Sequence, residues 1–95
     1  MLGDVAVRLH VPGPLRPYCG GEQRLEVGAA TVRAALEELA RTQPALHRCI
    51  CDETGAVRRH VNLFVNTSHV RDLAGLETPL STGDEIAIIP AVSGG

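Results

Sequence analysis

The stretch Glu85-Ile-Ala-Ile-Ile-Pro-Ala-Val-Ser-Gly-Gly95 constrains this chain more than any other. It reads as a buried strand, a proline that ends it, a short apolar neck and two glycines. Alternation sends Ile86 and Ile88 to one face of the strand and Ala87 and Ile89 to the other. Proline has no N–H to give to a ladder, so the strand stops at Pro90. Glycine has the largest backbone entropy and no side chain to dock, which makes Gly94-Gly95 a poor ending for a packed element. The plain alternative is a frayed stub, because termini are commonly poorly ordered. A strand that projects a thin, side-chain-free thread is better suited to placing its carboxylate inside another protein's active site.

Ninety-five residues make one domain with a single small core. The expected division is a folded domain over 1–90 and a flexible diglycine tail over 91–95. An apolar fraction of 44% and a charged fraction of 21% are ordinary for a globular protein. A net charge of −2 gives no broad basic surface for nucleic acid. The opening Met-Leu-Gly-Asp has no basic region followed by an apolar run. No apolar stretch approaches the ~20 residues of a membrane span. The expectation is a cytoplasmic protein, monomeric when free, without nucleic-acid or membrane partners. Cys19, Cys49 and Cys51 are an odd set, which argues against a disulfide framework, and their spacing is not that of a zinc site. Free, buried or half-buried thiols are expected.

Residues 5–11 alternate, with Val5, Val7, Leu9 and Val11 on one face and Ala6, Arg8 and His10 on the other. Pro12-Gly-Pro14 and Pro17 end that strand, Gly20-Gly21 turns the chain, and Gln23 to Val27 runs back as the second arm of a hairpin. Thr31 is placed to cap a helix whose apolar positions are Val32, Ala35, Leu36, Leu39 and Ala40. Pro44 closes it. Ala45 to Ile50 is one irregular or helical turn with Leu46 and Ile50 tucked inward, and Asp52-Glu-Thr-Gly55 is a turn. A strand over 61–66 puts Val61, Leu63 and Val65 inward and Asn62, Phe64 and Asn66 outward. A short strand at 68–70 follows. Asp72 to Leu76 is a turn with two apolar anchors, Leu80 to Asp84 is a second turn, and the final strand ends the domain.

One helix cannot cover both faces of a sheet, so it lies across a single mixed sheet of four to five strands. The first and last strands are the most apolar and belong at the centre. This is an α+β arrangement, the β-grasp or ubiquitin-like fold, and the fold alone does not give function.

Gly83-Asp84-Glu85 through Pro90 and on to Gly94-Gly95 resembles the C-terminal signature of ubiquitin-like sulfur-carrier proteins. That family includes the small subunit of molybdopterin synthase, the thiamin sulfur carrier and the actinobacterial carrier of cysteine biosynthesis. Val61-Asn-Leu-Phe-Val-Asn66 and the opening strand through Leu15-Arg16-Pro17 are most similar to the last. The resemblance implies a protein co-substrate rather than an enzyme, with no catalytic residue and no bound cofactor. It implies that a ubiquitin-activating-type enzyme, using ATP and magnesium, adenylates the Gly95 carboxylate. Sulfide equivalents then convert it to a thiocarboxylate, and a sulfur-accepting biosynthetic enzyme uses it for cysteine, a cofactor or a sulfur-containing natural product. Val92, Ser93, Gly94 and Gly95 would enter the partner's active site. A ubiquitin-like protein modifier and a molybdopterin synthase small subunit are the alternatives.

Strand alternation also sends His10, Phe64, His69 and Ile89 to the sheet face away from the helix. Exposed apolar clusters mark interaction sites and aromatics anchor them. The resemblance implies that this face docks on partner enzymes. A register shifted by one would instead turn Phe64 into the core. His10, His47, His60 and His69 lack the spacing of a metal site, so none is expected.

Overall fold

The computed structural model describes residues 5–90. Strand β1 (Ala6–His10) pairs antiparallel with β2 (Arg24–Gly28), Leu9 opposite Leu25 and Val7 opposite Val27. Between them, Gly13–Cys19 winds into a 3-10 helix, where the sequence suggests only a proline-rich loop. Pro14 lies in its first turn, where proline's fixed φ suits the helix and the missing N–H is no loss, whereas Pro17 lies inside it. Gly20 and Gly21 then reverse the chain at φ 73° and 85°, angles that favour glycine.

Helix α1 (Val32–Thr42) starts as the sequence predicts, with the Ala34 N–H donating to Thr31 Oγ1 at 3.1 Å. Its buried stripe is Val32, Ala35, Leu36 and Leu39; Ala40, expected to share it, is exposed. Pro44 both ends α1 and starts a second helix, α2 (Pro44–Ile50), where the sequence suggests a single turn. Proline is well placed in a first helical turn because its absent N–H would have no partner there. Leu46 and Ile50 are fully buried and seal this helix onto the core.

Strand β3 (Val61–Val65) is followed by the two-residue β4 (Ser68–His69) and by the final strand β5 (Glu85–Pro90). The sheet order is β2-β1-β5-β3-β4, with β1 and β5 parallel and every other pair antiparallel. Both apolar strands are therefore paired on both edges, as expected, and β5 takes the middle. The fold is a β-grasp with both α-helices on one side of a mixed five-stranded sheet. Val7, Leu9, Val61, Leu63, Val65, Ile86 and Ile88 face the helices and form one cluster with them.

Two local expectations change. Asn66 is a turn residue at φ 57°, not the end of β3, and asparagine tolerates that left-handed angle. Its side chain ties the turn to β5: Oδ1 accepts from the Glu85 N–H at 3.1 Å, and Nδ2 donates to Asp84 Oδ1 at 3.2 Å. The segment 72–76 has one apolar anchor rather than two. Leu76 packs against the core, whereas Leu73 is 45% exposed. Val70 takes the inward position instead, turned in by a 3-10 turn (Val70–Asp72) that His69 caps. Buried Thr78 holds the next loop, donating to Gly75 O at 2.7 Å and accepting from the Ala74 N–H at 3.1 Å. All three cysteines are free; Cys19 and Cys51 are buried and Cys49 is half-buried.

Candidate docking face

Among the described residues, no element covers the face of the sheet opposite the helices. Across it the ladder sets one row: Arg24 beside His10, His10 beside Ala87, Ala87 beside Phe64, and Phe64 beside His69. Every strand contributes one residue, so the row spans the sheet. Ile89 follows Ala87 two positions along β5, opposite Asn62. Thus His10, Phe64, His69 and Ile89 do share one face, on four different strands. Ile89 is 47% exposed, and the other three are half-buried.

Phe64 is neither core nor fully exposed. Its ring meets His69 edge to face, with centroids 5.0 Å apart and an interplanar angle of 61°. The His69 ring is itself held at both nitrogens, Nε2 2.9 Å from Asn62 Oδ1 and Nδ1 accepting the Arg71 N–H at 3.0 Å. Asn62 was readable from the sequence only as an outward residue. Its partnership with His69 needs the β3–β4 register, which makes the two diagonal neighbours across the ladder.

The two ends of this face differ in chemistry. Toward the start of β5, Arg8 stands between Glu26 and Glu85, opposite charges set side by side across strands. Toward Pro90 the lining is Ala87, Phe64, Ile89 and the Asn62–His69 pair. The apolar end is therefore the end from which the chain continues toward Ala91. Val92, Ser93, Gly94 and Gly95, the tail expected to enter a partner's active site, lie outside the described residues.

The helix side offers a cleft of about 390 Å³ lined by His47, Arg48, Cys51, Asp52, Thr54 and Arg58, among others. Burial first, and then the nearby Asp52 charge, pushes the Cys51 thiol up. A thiol held protonated is a poor nucleophile. Among the described residues no group of His, Cys, Asp and Glu is arranged to hold a metal ion. Among the same residues no helix is long and apolar enough to cross a membrane.

The model of the ThiS family matches residues 9–95 of this chain. The sulfur carrier protein CysO of Mycobacterium tuberculosis (strain ATCC 25618 / H37Rv) is 33% identical over 91 residues, covering 94% of this chain and 98% of that protein. Among solved structures, the Amycolatopsis orientalis BexX/CysO complex contains a chain that superposes with a TM-score of 0.84 at 32% identity. That match covers 94% of this chain and 99% of the other. The small archaeal modifier protein 1 of Methanosarcina acetivorans superposes with a TM-score of 0.86 at 30% identity, covering 99% and 100%.

Proposed function

This chain belongs to the ThiS family of ubiquitin-like sulfur carriers, and we propose that it is charged as a thiocarboxylate on Gly95. It is a substrate-like carrier rather than a catalyst. The observation that carries the reading is the reach of the family match, which runs to Gly95 and so takes in the diglycine.

The chemistry follows from what a carboxylate lacks. It is anionic and resonance-stabilised, hence a poor electrophile. An oxygen of the Gly95 carboxylate attacks the α-phosphorus of ATP on a ubiquitin-activating-type enzyme, and pyrophosphate leaves. A sulfide equivalent then attacks the acyl carbon, AMP departs with the electron pair, and a thiocarboxylate remains. Its sulfur is an anionic soft nucleophile, like a thiolate, and is passed on without release of free sulfide. Gly94 and Gly95 suit a narrow channel because no Cβ widens the thread. The sheet face opposite the helices, beside the β5 exit, supports a docking role for His10, Phe64, His69 and Ile89, anchoring the domain while the tail is inserted.

A second reading, a protein modifier joined to lysine amines, is favoured by the likeness to the small archaeal modifier protein. All nine Lys and Arg positions of the sequence are arginine, so its conjugates would be formed on other proteins rather than on further copies.

Intact-mass measurement decides. The protein is incubated with its organism's adenylating enzyme, ATP, magnesium and a sulfide source. Wild type gains the mass of one oxygen-to-sulfur exchange. A chain lacking Gly95 melts at the same temperature and gains nothing. Conversion of that truncated chain would sink the tail reading. Isopeptide-linked species recovered from cells, with no thiocarboxylate, would establish the modifier instead.

A further inference from the structure

The Asn62–His69 contact has a direction. Arg71 presents a backbone N–H to His69 Nδ1 at 3.0 Å, and a backbone N–H can only donate. Nδ1 is therefore the bare nitrogen, and Nε2 carries the proton. Nε2–H in turn donates to the Asn62 oxygen 2.9 Å away. The opposite amide orientation would bring two donors together, so the network settles it. The NH₂ end of Asn62 is thereby aimed away from His69. Among the described residues its Nδ2 makes no hydrogen bond, and it is not a buried orphan, so it meets the surface.

Its neighbours decide what it could do there. Asn62 lies across the ladder from Ile89 and next but one along β3 to Phe64. A partner that covers these apolar groups strips water from the Asn62 NH₂ as well. A donor so dried costs free energy unless the partner supplies an acceptor, and gains selectivity if it does. The backbone-anchored His69 holds that donor in one orientation before docking, which lowers the ordering cost of binding.

We infer that Asn62 Nδ2 is a specificity-determining donor of the docking face, matched to a carbonyl or carboxylate oxygen of the enzyme that takes the tail. His69 is its positioning residue. This rests on the docking reading above, and the test separates the two.

Pyrophosphate exchange is followed with the organism's adenylating enzyme as the concentration of this protein is varied. Asn62→Asp keeps an oxygen for His69 but replaces the outward donor with an acceptor. It is expected to raise KM about tenfold, the effect of one lost interfacial hydrogen bond, with kcat and melting temperature unchanged. Asn62→Ala raises KM similarly. His69→Ala, which frees the amide to rotate, raises KM less, and His69→Gln, which restores an N–H toward Asn62, recovers most of it. An unchanged KM in Asn62→Asp overturns the assignment. So does a rise confined to the aspartate, which would report charge repulsion. Phe64→Asp is the control. If it raises KM while Asn62→Asp does not, only the donor fails; if it too has no effect, the docking reading falls.

Discussion

Ile88 and Ile89 are the same residue type, adjacent on the same strand, and their environments could hardly differ more. Ile88 is 1% exposed beneath the helices, and Ile89 is 47% exposed on the opposite face. Nothing intrinsic to isoleucine decides this; the pleat does, by sending neighbours to opposite sides. The helix-covered face is closed, sealed by α1 and α2 and by apolar residues from β1, β3 and β5. The opposite face mixes half-buried aromatics, one exposed isoleucine and a charged row. The contrast teaches that one side of the sheet holds the central strand in place, while no described element covers the other.

The sharpest way to break that contrast is to change the two isoleucines separately. Ile88→Ala should cost about 2–5 kcal/mol, the usual range for truncating a fully buried aliphatic side chain, because it removes contacts and leaves a cavity. Urea denaturation would read this as a lower midpoint with the slope retained. The fraction that stays folded should still be adenylated with wild-type KM. Ile89→Asp should do the reverse, leaving the denaturation midpoint within the narrow range of surface substitutions while raising KM. Equal stability losses in both variants would mean that the register is wrong and that the faces are not distinct.

A smaller effect tests what covers the closed face. Thr31 caps α1 through its hydroxyl, accepting the Ala34 N–H at 3.1 Å. Thr31→Ala leaves that amide without its partner and should lower stability by about 1 kcal/mol. Thr31→Ser, which keeps the hydroxyl, should recover nearly all of it. A serine variant as unstable as the alanine would place the role of Thr31 in its methyl packing instead.

Much of this was legible in the chain, for identifiable reasons. Period-two alternation in 5–11, 61–66 and 85–89 named the buried residues, and with them the opposite face, because both faces follow from one pattern. The helix announced itself through Thr31 and the spacing of Val32, Ala35, Leu36 and Leu39. Where local and tertiary signals compete, the chain said less. Pro44 stops a helix and starts one equally well, so α2 could be read only as a turn. Leu73 and Leu76 are both leucines in a short turn, and nothing in their local sequence marks Leu76 as the one that packs on the core. The Asn62–His69 pair is diagonal across strands, and no spacing along the chain marks a diagonal contact.

The least effect is expected on the far side of the molecule, in the turn that rims the cleft. Asp52 Oδ1 accepts from the Thr54 N–H at 2.8 Å, from the Thr54 hydroxyl and from the Ala56 N–H at 3.2 Å. These bonds, the Thr54 side chain foremost, favour the ionised form and hold the carboxyl below its ordinary value. A carboxyl whose folded value is depressed adds stability above its unfolded value, near pH ~4, and loses it as pH falls through the folded one. Asp52→Asn removes that dependence. The variant should therefore trail wild type slightly in urea midpoint at neutral pH, and the gap should close as the solution is acidified below that value. A gap that persists unchanged in acid would mean that charge on Asp52 contributes nothing to the turn. Because the turn lies across the core from Phe64 and Ile89, KM with the adenylating enzyme should not move; if it does, the docking surface wraps onto the helix side and the two faces are not functionally separate.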